Sequence, residues 1–162
     1  MENTTTIRMV NVISNFRGTL GITLPDLSFK RTWTKMGQKK GIPFNIMIEA
    51  IYDPGVEYML NQGMIIIENL QDRIDLGLEE QGATESSVLT LTENQILALL
   101  KIDSPEKLEE TLQQLSREQR KNVAAVMIEN KILDLKRGEI VKKYTDIDVI
   151  KNIQLAVDNE RN

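Results

Sequence analysis

The 162-residue chain contains neither cysteine nor histidine. Without cysteine there is no disulfide, no thiolate nucleophile and no sulfur ligand for zinc or an iron–sulfur cluster. Without histidine the commonest general base near neutral pH and the commonest transition-metal ligand are both missing. Carboxylates, lysines and serines remain for other chemistry, and a hard cation needs only oxygen ligands. No D-x-[DN]-x-[DN]-G loop is present to hold one. Aromatic residues are scarce at 4%, so the core must be built from Ile, Leu, Val and Met. Apolar runs such as Met64–Ile67 fall far short of the roughly 20 residues that cross a membrane. The opening MENTTTIRMV has no basic stretch leading into an apolar one, so no secretory signal is expected. The chain is expected in a cytoplasm or in an assembly formed in one.

What is present suffices for a folded protein. Hydrophobic residues make up 41% of the chain, more than a disordered segment carries. The formal net charge of −4 favours solubility and argues against a protein that coats nucleic acid over its whole surface. The length suits one ordinary domain or two small ones.

Periodicity divides the chain into two halves and predicts an α+β fold. Residues 1–6 are polar and read as a tail. Ile7–Ile13 alternates and is β-branched, Leu20–Leu24 is bounded by Gly18 and Pro25, and Leu27, Phe29, Arg31 and Trp33 alternate with polar residues. These predict three strands of a meander or a small barrel-like sheet, with Gly37–Gly41 as a basic loop. Pro43 fits the first turn of a helix with Ile46, Met47, Ala50 and Ile51 on one face. Asp53-Pro54 is a cap followed by proline, opening a second helix that Gly63 stops. Met64–Glu68 then reads as a buried strand added to the same sheet, with one or two helical turns after it. The β-rich module is thus expected over 1–78.

Residues 79–87 lack large apolar side chains and read as a linker. Residues 88–162 read as a helical bundle. Thr92 with Gln95, and Ser116 with Gln119, have capping-box spacing. Ser104-Pro105, Asp134 and Asp146 are the other expected helix starts, and Gly138 weakens its helix by about 1 kcal/mol relative to Ala.

The most distinctive charge feature is the basic segment holding Arg17, Lys30, Arg31, Lys35, Lys39 and Lys40, interrupted only by Asp26. Trp33 stands among them, and a ring flanked by cations suits stacking on a base or clamping phosphates. Two blander readings stay open. In one, Trp33 is a core ring with a solvated lysine rim; in the other, the segment docks on an acidic protein surface. Gly37–Gly41 lacks the order of a phosphate-binding loop. Glu49, Asp53 and Glu57 can meet around one helix turn, where a carboxylate pair suits acid–base work; the simpler account is that Asp53 caps a helix and the glutamates are solvated. Lys136, Arg137, Lys142 and Lys143 allow a helix-turn-helix reading of Val123–Tyr144, but acidic residues outnumber basic ones beyond Glu79. No catalytic residue, metal, cofactor or small-molecule substrate is expected.

The stretch from Ile42-Pro43-Phe44 through Asp53-Pro54-Gly55-Val56-Glu57-Tyr58-Met59 to Gly63-Met64-Ile65-Ile66-Ile67-Glu68 resembles uncharacterised proteins of tailed bacteriophages. The resemblance covers about the first half of the chain. It implies a non-enzymatic structural or assembly role in the virion, at the head or its connector. The partners would be other virion proteins or further copies, with minor nucleic-acid contact at the basic segment. A second reading is a small cytosolic inhibitor or regulator that binds a host protein or nucleic acid, its net acidic helical half suited to mimicking a nucleic-acid surface.

Overall fold

The computed structural model describes residues 6–161, so all but Thr6 of the expected tail lies outside them. The fold is α+β, and the chain divides into two compact units, Met1–Val88 and Leu89–Asn162.

The first unit runs, in order, through β1 (Met9–Ser14), β2 (Leu20–Leu24), a 3-10 turn (Pro25–Leu27), β3 (Phe29–Trp33), β4 (Lys39–Pro43), α1 (Phe44–Ala50), α2 (Pro54–Asn61), β5 (Ile65–Ile67) and α3 (Leu70–Asp75). Its strands form two small antiparallel sheets, one ordered β4-β1-β5 and one a β2–β3 hairpin. In β1 the in–out alternation buries Val10, Val12 and Ser14. Ile42 from β4, and Ile65 and Ile67 from β5, join them on the inner face. Met47 and Ala50 of α1, Val56 and Leu60 of α2, and Ile22 and Trp33 of the hairpin complete one core. Each fully buried aliphatic side chain there contributes about 1.5–3 kcal/mol.

The hairpin register runs from Leu20 opposite Trp33 to Leu24 opposite Phe29. Pro25 opens its connection with a fixed φ, and Ser28 closes it in the left-handed region at φ 49°, its N–H donating to the Pro25 carbonyl. The expected basic loop at Gly37–Gly41 is corrected. Only Gly37 and Gln38 belong to a turn, closed by the Gln38 N–H donating to the Lys35 carbonyl, and Lys39 and Lys40 belong to β4, opposite Ile13 and Val12. Glycine and proline in the stretch disguise it as a loop, and its pairing partner is distant in sequence. Asp53 caps α2 as expected, its carboxylate accepting from the N–H groups of Gly55 at 3.1 Å and Val56 at 3.2 Å. Pro43 stands at the cap position of α1 rather than inside its first turn. Gly63 follows α2 at φ 70°.

Residues 79–87 have no regular structure, yet they are tied down. One oxygen of Glu79 accepts from Arg73 Nε at 3.1 Å and Nη2 at 2.8 Å, and from the Ser87 N–H at 3.0 Å and hydroxyl at 3.1 Å. The two side chains are only 11% (Arg73) and 5% (Glu79) exposed. Burial pushes the Glu79 carboxyl up. The hydrogen bonds from Ser87 and Arg73 outweigh that push and hold it below the usual carboxylate range.

The second unit is a bundle of α4 (Glu93–Leu100), α5 (Pro105–Gln114), α6 (Arg117–Glu129), α7 (Leu135–Thr145) and α8 (Val149–Glu160). Helix α7 packs against α5, α6 and α8, and α6 also packs against α4 and α8. The capping box of Thr92 and Gln95 is complete, and Asp134 caps α7 through the Arg137 N–H. Three expected caps differ. Ser104 stands at the start of α5 but donates its hydroxyl to Glu106 instead. Ser116 accepts from the Gln119 N–H, but the Gln119 side chain turns inward to the backbone of Leu89 and Leu91. Asp146 ends α7 in a left-handed conformation at φ 61°, and Asp148, two residues on, caps α8. Gly138 is buried where α7 meets α8: a Cβ there would lie 2.8 Å from Ile150 Cγ1.

Candidate docking surface

The basic segment does not come together as one site. Trp33 is the clearest correction: it is fully buried, and its indole N–H donates to the Val12 carbonyl at 3.2 Å. Its ring packs in the core and is not available to stack on a base. Arg31 Nε donates to the Gly41 carbonyl at 3.1 Å, with its guanidinium 5.0 Å over the Phe29 ring. Lys39 pairs with Glu68 at 2.6 Å. Arg17 reaches the turn after β3, its Nη1 4.0 Å from Met36 Sδ. Lys30 and Lys35 are exposed and Lys40 is half-buried; no ion pair involves these three among the described residues. Arg17 and Lys35 therefore mark the Leu20–Trp33 end of the hairpin, while Lys30 lies toward the other end on the outward face.

At that other end is a groove of about 270 Å³ that no residue of the basic segment lines, although Glu49 and Asp53 of the weighed carboxylates do. The 3-10 turn supplies Leu24, Pro25, Asp26 and Leu27, and the corner between α1 and α2 supplies Glu49, Tyr52 and Asp53. Tyr52 is 77% exposed, and Leu27, Ile48 and Tyr58 are also large apolar side chains left open to solvent. The lining combines aliphatic and aromatic side chains with three carboxylates. Asp53 serves α2 as a cap, as expected of it; Glu49 and Glu57 are exposed. Among the described residues no cluster of acidic side chains has the geometry of a metal shell. What the groove suits is an aliphatic stem ending in a cation: apolar wall, ring face and negative charge. Its two segments are far apart in sequence and share no motif. The only sequence signal is a tyrosine standing directly before the Asp53-Pro54 cap, outside any apolar stripe.

A second groove, of about 470 Å³, is lined by Ile7, Arg8, Pro43, Phe44, Asn45 and Ile46. Arg8 is already engaged there, pairing with Asp72 at 2.6 Å and Asp75 at 2.7 Å and lying 4.0 Å over the Phe44 ring. Its hydrogen bond holds the Asp75 carboxyl below the usual range.

In the helical unit the basic residues of the helix-turn-helix reading are mostly balanced. Arg137 binds Asp134 and the Ile102 carbonyl, Lys142 lies 3.5 Å from Asp148, and Lys143 lies 2.9 Å from Glu109. Hydrogen bonds from Lys143 and Tyr144 hold the Glu109 carboxyl below its ordinary value. Among the described residues no helix is long and apolar enough to cross a membrane. No family model, curated protein or solved structure matches the chain.

Proposed function

We propose that this chain is a non-enzymatic assembly protein that works by docking, and that its setting is the particle of a tailed bacteriophage, at the head or its connector. The observation that carries the docking reading is Tyr52. Only three tyrosines occur in the chain, and one of them stands 77% exposed at an apolar groove. Contiguous exposed apolar surface marks interaction sites, and tyrosine is among the residues enriched where binding energy concentrates. The bacteriophage setting rests on the resemblance of Ile42–Glu68.

The test is the composition of purified particles of a phage that encodes the chain. Membership at fixed stoichiometry supports the reading, and the copy number then separates head lattice from connector. Absence from the particles, with the chain recovered only from the soluble fraction of infected cells, overturns it.

A further inference from the structure

We propose that the occupant of the Tyr52 groove is the basic end of a second copy of this chain, giving a head-to-tail contact. This deepens the assembly reading and rests on it. The groove end of the hairpin carries the exposed Lys30 but is surrounded by carboxylates, and the opposite end is basic. Asp26, with Glu49 and Asp53 from the neighbouring corner, lines the groove at the Leu24–Phe29 end. Lys35 follows the Leu20–Trp33 end, and Arg17 reaches the same turn. The two ends are separated by a five-residue strand, roughly 14 Å at the usual rise. A rigid hairpin cannot fold its own basic end back into its own groove. A second copy can offer its Lys35 to the groove, and a contact between two different patches is heterologous: it propagates into a ring if the rotation closes and into a filament if it does not. A lysine fits the groove through its two parts, the stem along Leu24 and Leu27 and the ammonium over the Tyr52 ring and between the carboxylates.

The experiment is sedimentation of the intact chain across protein and salt concentration, with Glu49→Lys, Lys35→Glu and the double variant. Glu49 and Lys35 are both exposed, so each single variant should keep the helical circular dichroism and the buried tryptophan emission of the parent. The parent is expected to self-associate, more weakly as salt rises because surface charges are screened. Either single variant should raise the apparent Kd about tenfold or more, and the double variant should recover most of that loss because the charges are then exchanged rather than lost. A parent that stays monomeric up to about 1 mM, the weak limit of specific association, overturns the proposal. So does self-association that neither single variant alters. Both results leave the particle test untouched: a chain found in particles yet monomeric sinks only this inference.

Discussion

Gly138 shows how one missing methyl group shapes a helix crossing. By propensity alone an alanine in mid-helix is better than glycine by about 1 kcal/mol. Here a Cβ would sit 2.8 Å from Ile150 Cγ1 and 3.0 Å from Cδ1, inside any normal carbon–carbon contact. The overpacking cost of about 1–3 kcal/mol outweighs the propensity gain, so Gly138→Ala is expected to lower stability by about 1 kcal/mol in urea unfolding. In an Ile150→Ala background the clash is gone, and the same substitution should become neutral or stabilising. A double-mutant cycle with no coupling would show that the close approach does not matter. Glu79 poses the opposite problem, a buried charge that must stay paired. Glu79→Gln keeps the shape but leaves Arg73, 11% exposed, without its counter-charge. The expected loss is about 2–3 kcal/mol, read as a lower urea midpoint, with Arg73→Met/Glu79→Gln recovering part of it.

At the level of elements, segment 89–92 is held onto α6 by a single amide. Gln119, 2% exposed, accepts from the Leu91 N–H at 3.0 Å and donates to the Leu89 carbonyl. Gln119→Met is expected to cost about 1–3 kcal/mol by orphaning both groups. Gln119→Glu should not rescue it, since a carboxylate accepts from Leu91 but cannot donate to Leu89. Thr92→Ala, which removes half of the capping box of α4, should cost about 1 kcal/mol. Helical denaturation of the four proteins checks all three effects. These helix starts also mark where the sequence was readable and where it was not. Asp53 is recognisable as a cap by the proline after it, Thr92 by the Gln95 three residues on, and Asp134 by standing alone as a capping residue before its helix. Asp146 and Asp148 are two candidates in one short connection, and local pattern cannot choose between them. The choice falls to Asp148 because Asp146 is consumed in ending α7 at positive φ. Strand β4 was missed for a different reason: Lys-Lys-Gly-Ile-Pro becomes a strand only through pairing with β1. The groove was harder still. The polarity of the basic segment was visible in the sequence. That its ring is core, and that the exposed ring is Tyr52, follows only from the packing.

For the whole molecule, the absence of histidine and the state of the carboxylates together set the pH response. No side chain has its ordinary titration between about pH 5 and 8, so stability should be nearly flat there. Asp134 is held below the usual range chiefly by the Arg137 N–H. Glu79, Asp75 and Glu109 are held below it as described. A group whose folded pKa is depressed binds its proton more readily when unfolded. Its contribution is therefore fully present above the ordinary carboxylate value of about 4 and is lost as pH falls through the folded values. Thermal midpoints measured from pH 8 down to pH 2 should form a plateau and then a single acid slope. A step between pH 6 and 7 would contradict this assignment.

Trp33 gives the molecule a private optical channel. It is the sole tryptophan of the chain, it is fully enclosed, and it lies in the strand-bearing unit. Its emission should shift to the red only when that unit opens, while ellipticity is dominated by the five helices of the other. Following both signals in one denaturant titration separates the melting of the two units without a label, a truncation or a substitution.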